Sequence, residues 1–316
     1  MTELLEAIAS DLASHLGRPV KSVAPIPEGH SGFTYWVDLK DGRAVLRLPP
    51  PGARIAGSAD IPRQGRLMAA LNAAGLPVPA VVAMSDDPVI DGRPFYLLEA
   101  VDGDRIERIA GRVPDRDLAA AAVEVVRRMQ ALPLEQTGIG QETPATLRDE
   151  LARWTWLMER APSALTGSAP RLAELLQETM PAERTPVLVH ADFHYGNMLF
   201  REGRVVALLD WEIAELGQPL LDPACLSVVA RSADGGAERV PGGGAVVVSD
   251  RELLELYGGA DPAEFNWYLA LTFYKYSAIL GYNLMLHRRG KRPDPSYEGR
   301  TETISGFIDD GIRLLT

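Results

Sequence analysis

The chain has 316 residues, with 43 acidic against 32 basic side chains and a net charge of -11, which argues against general nucleic-acid binding while leaving room for a local basic pocket. Its 29 glycines and 24 prolines stay below the ~25–30% of a disordered chain, and the length suffices for a core without disulfide or metal staples. A lone cysteine, Cys225, forms no intrachain disulfide and fits a reducing, cytoplasmic setting. The opening MTELLEAIAS is acidic and amphipathic, unlike a secretory leader, and no apolar run nears the ~18 residues of a membrane span. Leu4, Leu5, Ile8, Leu12 and Leu16 predict a helix over 1–17, ended by Gly17 and Pro19. FTYWVDL and AVLRL around Asp41-Gly42 predict a hairpin over 33–48. A helix over 62–74 follows, with Pro62 in its first turn. GLPVPAVVAM and PFYLLEAV read as two strands, with the Asp-Asp-Pro…Asp-Gly stretch as the loop between them.

Beyond about residue 115 helices dominate: DLAAAAVEVVRRMQAL, 146–160, 171–180 and a long aromatic-rich one over 263–288. Residues 231–246 are glycine-rich and read as an exposed loop, and no internal repeat is visible. The layout is a small α+β half, 1–101, followed by a mainly helical half, 102–316, and oligomeric state is left open.

The chemistry concentrates in VLVHADFHYGNMLFREGRVVALLDWE, residues 187–212. Two strands, 198–200 and 205–209, joined by a short turn form a hairpin whose open ends lie side by side. Asn197 precedes the first strand and Asp210 follows the second, so residues 13 apart reach one spot; Asp192 lies five residues before Asn197. An amide oxygen and carboxylates converging there suit Mg²⁺, which takes hard oxygen ligands and completes its shell with water and substrate phosphates. The D-x-x-x-x-N spacing equals that of a kinase catalytic loop, where Asp accepts the substrate hydroxyl proton and Asn holds metal. Each residue alone is an ordinary turn former; the ordered set is not.

HADFHYGN followed by LLDWE resembles the aminoglycoside phosphotransferase family, relatives of choline and homoserine kinases. The resemblance covers nearly the whole chain. In FYLLEAVDG, RAVLRLPPPG, LLDWEIAELGQPLLDPA and NWYLALTFYKYSAIL it is similar to the phosphotransferase domains associated with acyl-CoA dehydrogenases. It implies an α+β, two-lobed, protein-kinase-like fold with a small antiparallel-sheet N-lobe and a larger, mainly helical C-lobe. It also implies an ATP- and Mg²⁺-dependent kinase acting on the hydroxyl of a small molecule, either a hydroxyacyl-CoA or an aminoglycoside-like compound. Asp192 would be the base, and Asn197 and Asp210 the Mg²⁺ ligands beside the nucleotide. Asp222 would brace the catalytic loop, and Gly29, Ser31 and Gly32 would cover the phosphates. Arg47 would contact phosphate, and the hinge from Glu99 to Val101 would meet adenine.

The sequence departs from the family pattern in three places. His190-Ala191 replaces His-Gly, and Gln218-Pro219 replaces Asp-Pro. Gln64 stands where an ion-pairing Glu is usual, and no Glu lies between Glu28 and Glu99, which puts the positioning of the phosphates in question. A nucleotide-binding pseudokinase is therefore one alternative. A metal hydrolase built on His190-x-Asp192-x-His194 is another, though zinc needs further ligands at recognisable spacing. The aromatic run from Phe265 to Tyr282 reads as helix core rather than ligand box, and Glu212 as either a substrate neighbour or a surface carboxylate. The cluster from His287 to Arg292 reads as a solvated helix end or as an anchor for a phosphorylated substrate.

Overall fold

A computed structural model describes residues 2–26, 33–231 and 246–316. Gly29, Ser31 and Gly32 lie outside the described residues, as does nearly all of the glycine-rich stretch. The chain opens with α1 (Thr2–Leu16), β1 (Val20–Pro25), β2 (Phe33–Leu39), β3 (Gly42–Leu48), α2 (Ile61–Ala73), β4 (Val81–Ile90) and β5 (Arg93–Glu99). The strands form one antiparallel sheet in the order β1-β2-β3-β5-β4. Tyr35, Val37 and Leu39 of β2 and Ala44, Leu46 and Leu48 of β3 alternate inward onto Ile8 and Leu12 of α1, with Phe95 and Leu97 completing the core. The helix α2, capped by Asp60 accepting from the Arg63 amide, packs on β4 and β5: a Cβ at Gly65 would sit 3.4 Å from Tyr96 Cβ.

Two local expectations shift. Leu39 pairs with Gly42, so the hairpin turn is Lys40-Asp41 rather than Asp41-Gly42. The strand β4 runs on through Asp86-Asp87-Pro88 across a register break between Ser85 and Ile90, and the turn comes only at Asp91-Gly92. A proline is tolerated where the ladder is interrupted.

There follow α3 (Ile106–Ile109), α4 (Asp115–Gln130), α5 (Leu147–Met158), α6 (Ala169–Glu178) and β6 (Val187–Val189). Next come β7 (Met198–Arg201), β8 (Arg204–Leu208), β9 (Glu215–Gly217) and α7 (Leu221–Arg231). The chain closes with α8 (Asp250–Tyr257), α9 (Pro262–Arg288) and α10 (Thr301–Leu315). The chain packs as two compact units, Met1–Asp104 with Leu132–Gln141 and Asn197–Ala214, and Arg105–Ala131 with Glu142–Gly196 and Glu215–Thr316. The β7–β8 hairpin belongs to the same unit as the N-terminal sheet. The second unit is helical around α9, buried on nearly every side from Phe265 to Ala278, with the small antiparallel pair β6–β9 at one place in it. No helix among the described residues is long and apolar enough to cross a membrane.

Candidate active site

In the first unit, the β7–β8 register pairs Met198 with Leu208, and the Leu209 amide donates to the Asn197 carbonyl at 2.8 Å. Asn197 and Asp210 are thus neighbours at the open end of the hairpin, as their spacing predicts. Asp210 has φ +64°, a left-handed conformation that Asp tolerates better than most residues. The following Trp211 is buried and donates Nε1 to the Leu208 carbonyl at 3.0 Å, fixing the turn that sets Asp210.

Arg47, on β3, donates to Glu212 Oε2 at 3.0 Å, with side chains only 12% and 20% exposed. Burial disfavours the guanidinium charge, and Tyr96, Asp210 and Glu212 hold it on. The ion-pair partner absent from α2 is therefore supplied by Glu212, two residues past Asp210. Gln64 instead donates Nε2 to the Ser58 carbonyl at 2.9 Å and accepts at 3.4 Å from the Tyr96 hydroxyl, whose pKa burial pushes up to about 12. Gln64 is a structural tie on α2, and the D-W-E triplet was the available signal for Arg47's partner.

The hinge segment ends β5: the Glu99 amide donates to the Ala80 carbonyl and that of Ala100 to Arg43. The Val101 amide has no hydrogen-bond partner among the described residues. Asp104 and Phe200 exchange both backbone hydrogen bonds, at 2.7 and 2.8 Å. A Cβ at Gly103 would lie 2.9 Å from Leu199 Cβ, so glycine is needed for this close approach.

In the second unit, β6 leads into the loop that carries Asp192. Asp222, at the start of α7 and fully buried, accepts from the His190 and Ala191 amides, each at 2.9 Å. Burial pushes its carboxyl up to about 6, against those amides and the Lys275 ammonium. Ala191 sits at φ +65°, the conformation for which glycine is the usual solution, and Asp222 helps to hold it there. The Asp192 amide donates to His190 Nδ1 at 3.2 Å, and the Gly196 amide to His194 Nδ1 at 3.1 Å. His194 therefore carries its proton on Nε2, 3.5 Å from Asp192 Oδ2, while the Tyr276 hydroxyl donates to Oδ1 at 3.0 Å. Burial raises the Asp192 pKa, but His194, Lys275 and His190 outweigh it and hold the carboxyl well below its usual range. With 26% of its side chain exposed, Asp192 is a partly accessible, ionised carboxylate.

Gln218 is a two-way tie to the backbone of Arg184, accepting its amide at 2.7 Å and donating to its carbonyl at 3.2 Å, which marks that departure as structural. Sequence reasoning missed Lys275 and Tyr276. The available signal was a lysine inside an otherwise apolar and aromatic helical run, where no polar face exists to receive it.

A sequence profile described as "Phosphotransferase enzyme family" matches residues 22–256, and the chain belongs to that family. Acyl-CoA dehydrogenase family member 10 of Mus musculus is 30% identical over 292 residues, 85% of this chain and 27% of that protein. Acyl-CoA dehydrogenase family member 11 of Homo sapiens is 30% identical over 283 residues, 82% of this chain and 35% of that protein. The chain thus spans about a third of these relatives' length. A protein from Ralstonia eutropha JMP134 assigned to the aminoglycoside phosphotransferases shares the fold with a TM-score of 0.79, 21% identity and 97% coverage of both chains. Aminoglycoside phosphotransferase APH(4)-Ia, in complex with ADP and hygromycin B, shares it at 0.65 and 17% identity, over 96% of this chain and 99% of that one. A GDP and kanamycin complex of APH(2")-IIIa gives 0.66 at 18% identity, with 96% and 98% covered. The fold is the expected kinase-like α+β fold, shared with these structures.

Proposed function

We propose that this phosphotransferase moves the γ-phosphoryl group of ATP to a hydroxyl of a small molecule, with Asp192 accepting the hydroxyl proton. The observation that carries this reading is the Asp192 carboxylate itself: ionised, partly exposed, and held from both oxygens on a loop braced by Asp222. Arg47 contacts the phosphates, residues 99–101 meet adenine through backbone, and Gly29, Ser31 and Gly32 cover the nucleotide. Residues 1–101 then form the nucleotide-covering lobe and 102–316 the catalytic and acceptor-binding one. Asn197 and Asp210 offer one amide oxygen and one carboxylate at a shared hairpin end, a hard donor set that fits Mg²⁺ completed by phosphate oxygens and water. Bound there, the ion supplies neutralisation of charge on the phosphates. Asp192 orients the acceptor hydroxyl and takes its proton, and Arg47 holds phosphate oxygens through its planar fork.

The Arg47–Glu212 pair removes the main support for a pseudokinase, which was Gln64. Among the described residues no three His, Cys, Asp or Glu side chains cluster as a metal site, so no observation favours a hydrolase. Arg47→Ala is expected to weaken ATP binding by about tenfold or more, the worth of a charge-assisted hydrogen bond, whereas Gln64→Ala moves it by less than about threefold. Isothermal titration with ATP and Mg²⁺ checks both; equal effects would return Gln64 to the phosphate site.

For the acceptor we favour a hydroxyacyl-CoA over an aminoglycoside. Support comes from the relatives' names and from the cationic end of α9. Arg288 is already bound by Glu298 through two hydrogen bonds, and Arg292 donates to Asn283 at 3.0 Å, so the anchoring falls to Arg289 and Lys291. Arg289 lies 13 residues beyond Tyr276, about 20 Å along the helix, a span suited to a long flexible thioester rather than a compact sugar. ADP release across hydroxyacyl-CoA esters, aminoglycosides, choline and homoserine, with ATP or GTP as donor, tests it. Turnover with hydroxyacyl-CoA, weakened in KM by Arg289→Ala with Lys291→Ala, supports the choice; efficient turnover of aminoglycosides alone overturns it and leaves the kinase reading standing.

A further inference from the structure

We propose that Lys275 and Tyr276, consecutive residues of α9, are positioning residues for Asp192, Lys275 locking the backbone of its loop and Tyr276 the carboxylate. This rests on the reading of Asp192 as the proton acceptor. Both side chains are almost fully buried in the second unit. Lys275 Nζ donates to the Ala191 carbonyl and lies 3.2 Å from Cys225 Sγ. Asp222 takes the Ala191 amide from the other side. The left-handed residue just before Asp192 is thereby gripped at both its N–H and its C=O, which matters because it is alanine and not glycine. A lysine is rarely buried without compensating charge; here Asp192 and Asp222 supply it.

Tyr276 acts one step closer to the chemistry. The terminal torsion of an aspartate is broad, so a carboxylate left alone samples many orientations. The Tyr276 hydroxyl on Oδ1 and His194 Nε2 facing Oδ2 select one of them. Burial and the neighbouring Cys225 and Asp192 raise the Tyr276 pKa well above 10, so the phenol stays a donor wherever the enzyme works. Residues one apart on a helix diverge by about 100°, and a pair that both reach one loop brackets it.

Tyr276→Phe keeps the ring and removes only the donor. Transfer kcat is expected to fall about tenfold or more, with KM for ATP moving by less than about twofold and Tm by less than about 2 °C. Amide hydrogen exchange over residues 190–196 should rise in Tyr276→Phe and further in Lys275→Met, while exchange in the α9 core holds in Tyr276→Phe. Unchanged kcat with unchanged exchange overturns the proposal, as does a fall in kcat matched by equal losses in Tm and ATP affinity. Should the wild-type chain transfer phosphate to no hydroxyl, the base reading fails. The exchange measurement still decides the anchoring: faster loop exchange upholds it and unchanged exchange overturns it.

Discussion

Asp192→Asn is expected to lower kcat for phosphoryl transfer by ~10²–10⁴ while nucleotide affinity stays nearly unchanged. Asparagine keeps the size of the side chain but offers one oxygen where aspartate offers two. It can satisfy the Tyr276 hydroxyl or His194 Nε2, but not both as acceptor, and it cannot take the acceptor's proton. The hydrogen bonds that hold Ala191, from Asp222 and Lys275, are kept, while the buried Lys275 loses one neighbouring negative charge. The residues assigned to nucleotide, Arg47, Asn197 and Asp210, keep their own partners. Rapid-quench kinetics beside a calorimetric titration with ATP separate the two quantities. Near-normal kcat would remove Asp192 from the role of base.

Asp222→Ala is expected to cost stability on the scale of two buried amides left without an acceptor, about 1–3 kcal/mol each, or on the order of 10 °C in Tm for a chain of this size. Two buried amides, those of His190 and Ala191, lose their acceptor, and the buried Lys275 loses a neighbouring carboxyl. Ala191 would then hold its left-handed conformation through its carbonyl alone. Asp222→Asn retains one acceptor oxygen and should fall between wild type and the Asp222→Ala variant. The sign of its pH dependence follows from a folded pKa raised to about 6: the native state favours the protonated acid, so this group's contribution is full below about pH 4 and declines as pH rises towards 6. The stability gap between wild type and Asp222→Asn should therefore narrow over that interval. Thermal melts at pH 4, 5, 6 and 7, taken on both proteins, provide the test; a gap that widens with pH would show Asp222 held ionised by its amides and Lys275.

How much of this was legible in the sequence depends on whether the determinant was local. The β7–β8 hairpin, its two open-end residues and the Asp192 spacing were readable because turn chemistry and period-two alternation operate within a few residues. The long helix α9 was readable from its unbroken apolar and aromatic run. The strands β1 and β9 were not: VKSVAP and ELG are too short to show a period, and each exists because a distant strand pairs with it. The Arg47–Glu212 pair spans 165 residues and the Tyr276–Asp192 bond spans 84, so no window along the chain contains either. Gln64 looked like a lost ion pair because one position was compared with a pattern; the charge had moved to another element. The one-residue shift of the first hairpin turn has a similar origin: the Leu39–Gly42 register, set by the inward alternation of both strands, overrode the attraction of an Asp-Gly pair.

Phosphorus NMR of the complete reaction reads the central claim without a coupled assay. Wild-type protein with ATP, Mg²⁺ and the acceptor panel should produce a new phosphomonoester resonance in step with ADP, and neither Asp192→Asn nor a magnesium-free mixture should do so at a comparable rate. Accumulation of inorganic phosphate alone with every hydroxyl compound, or equal ester formation by Asp192→Asn, would contradict it.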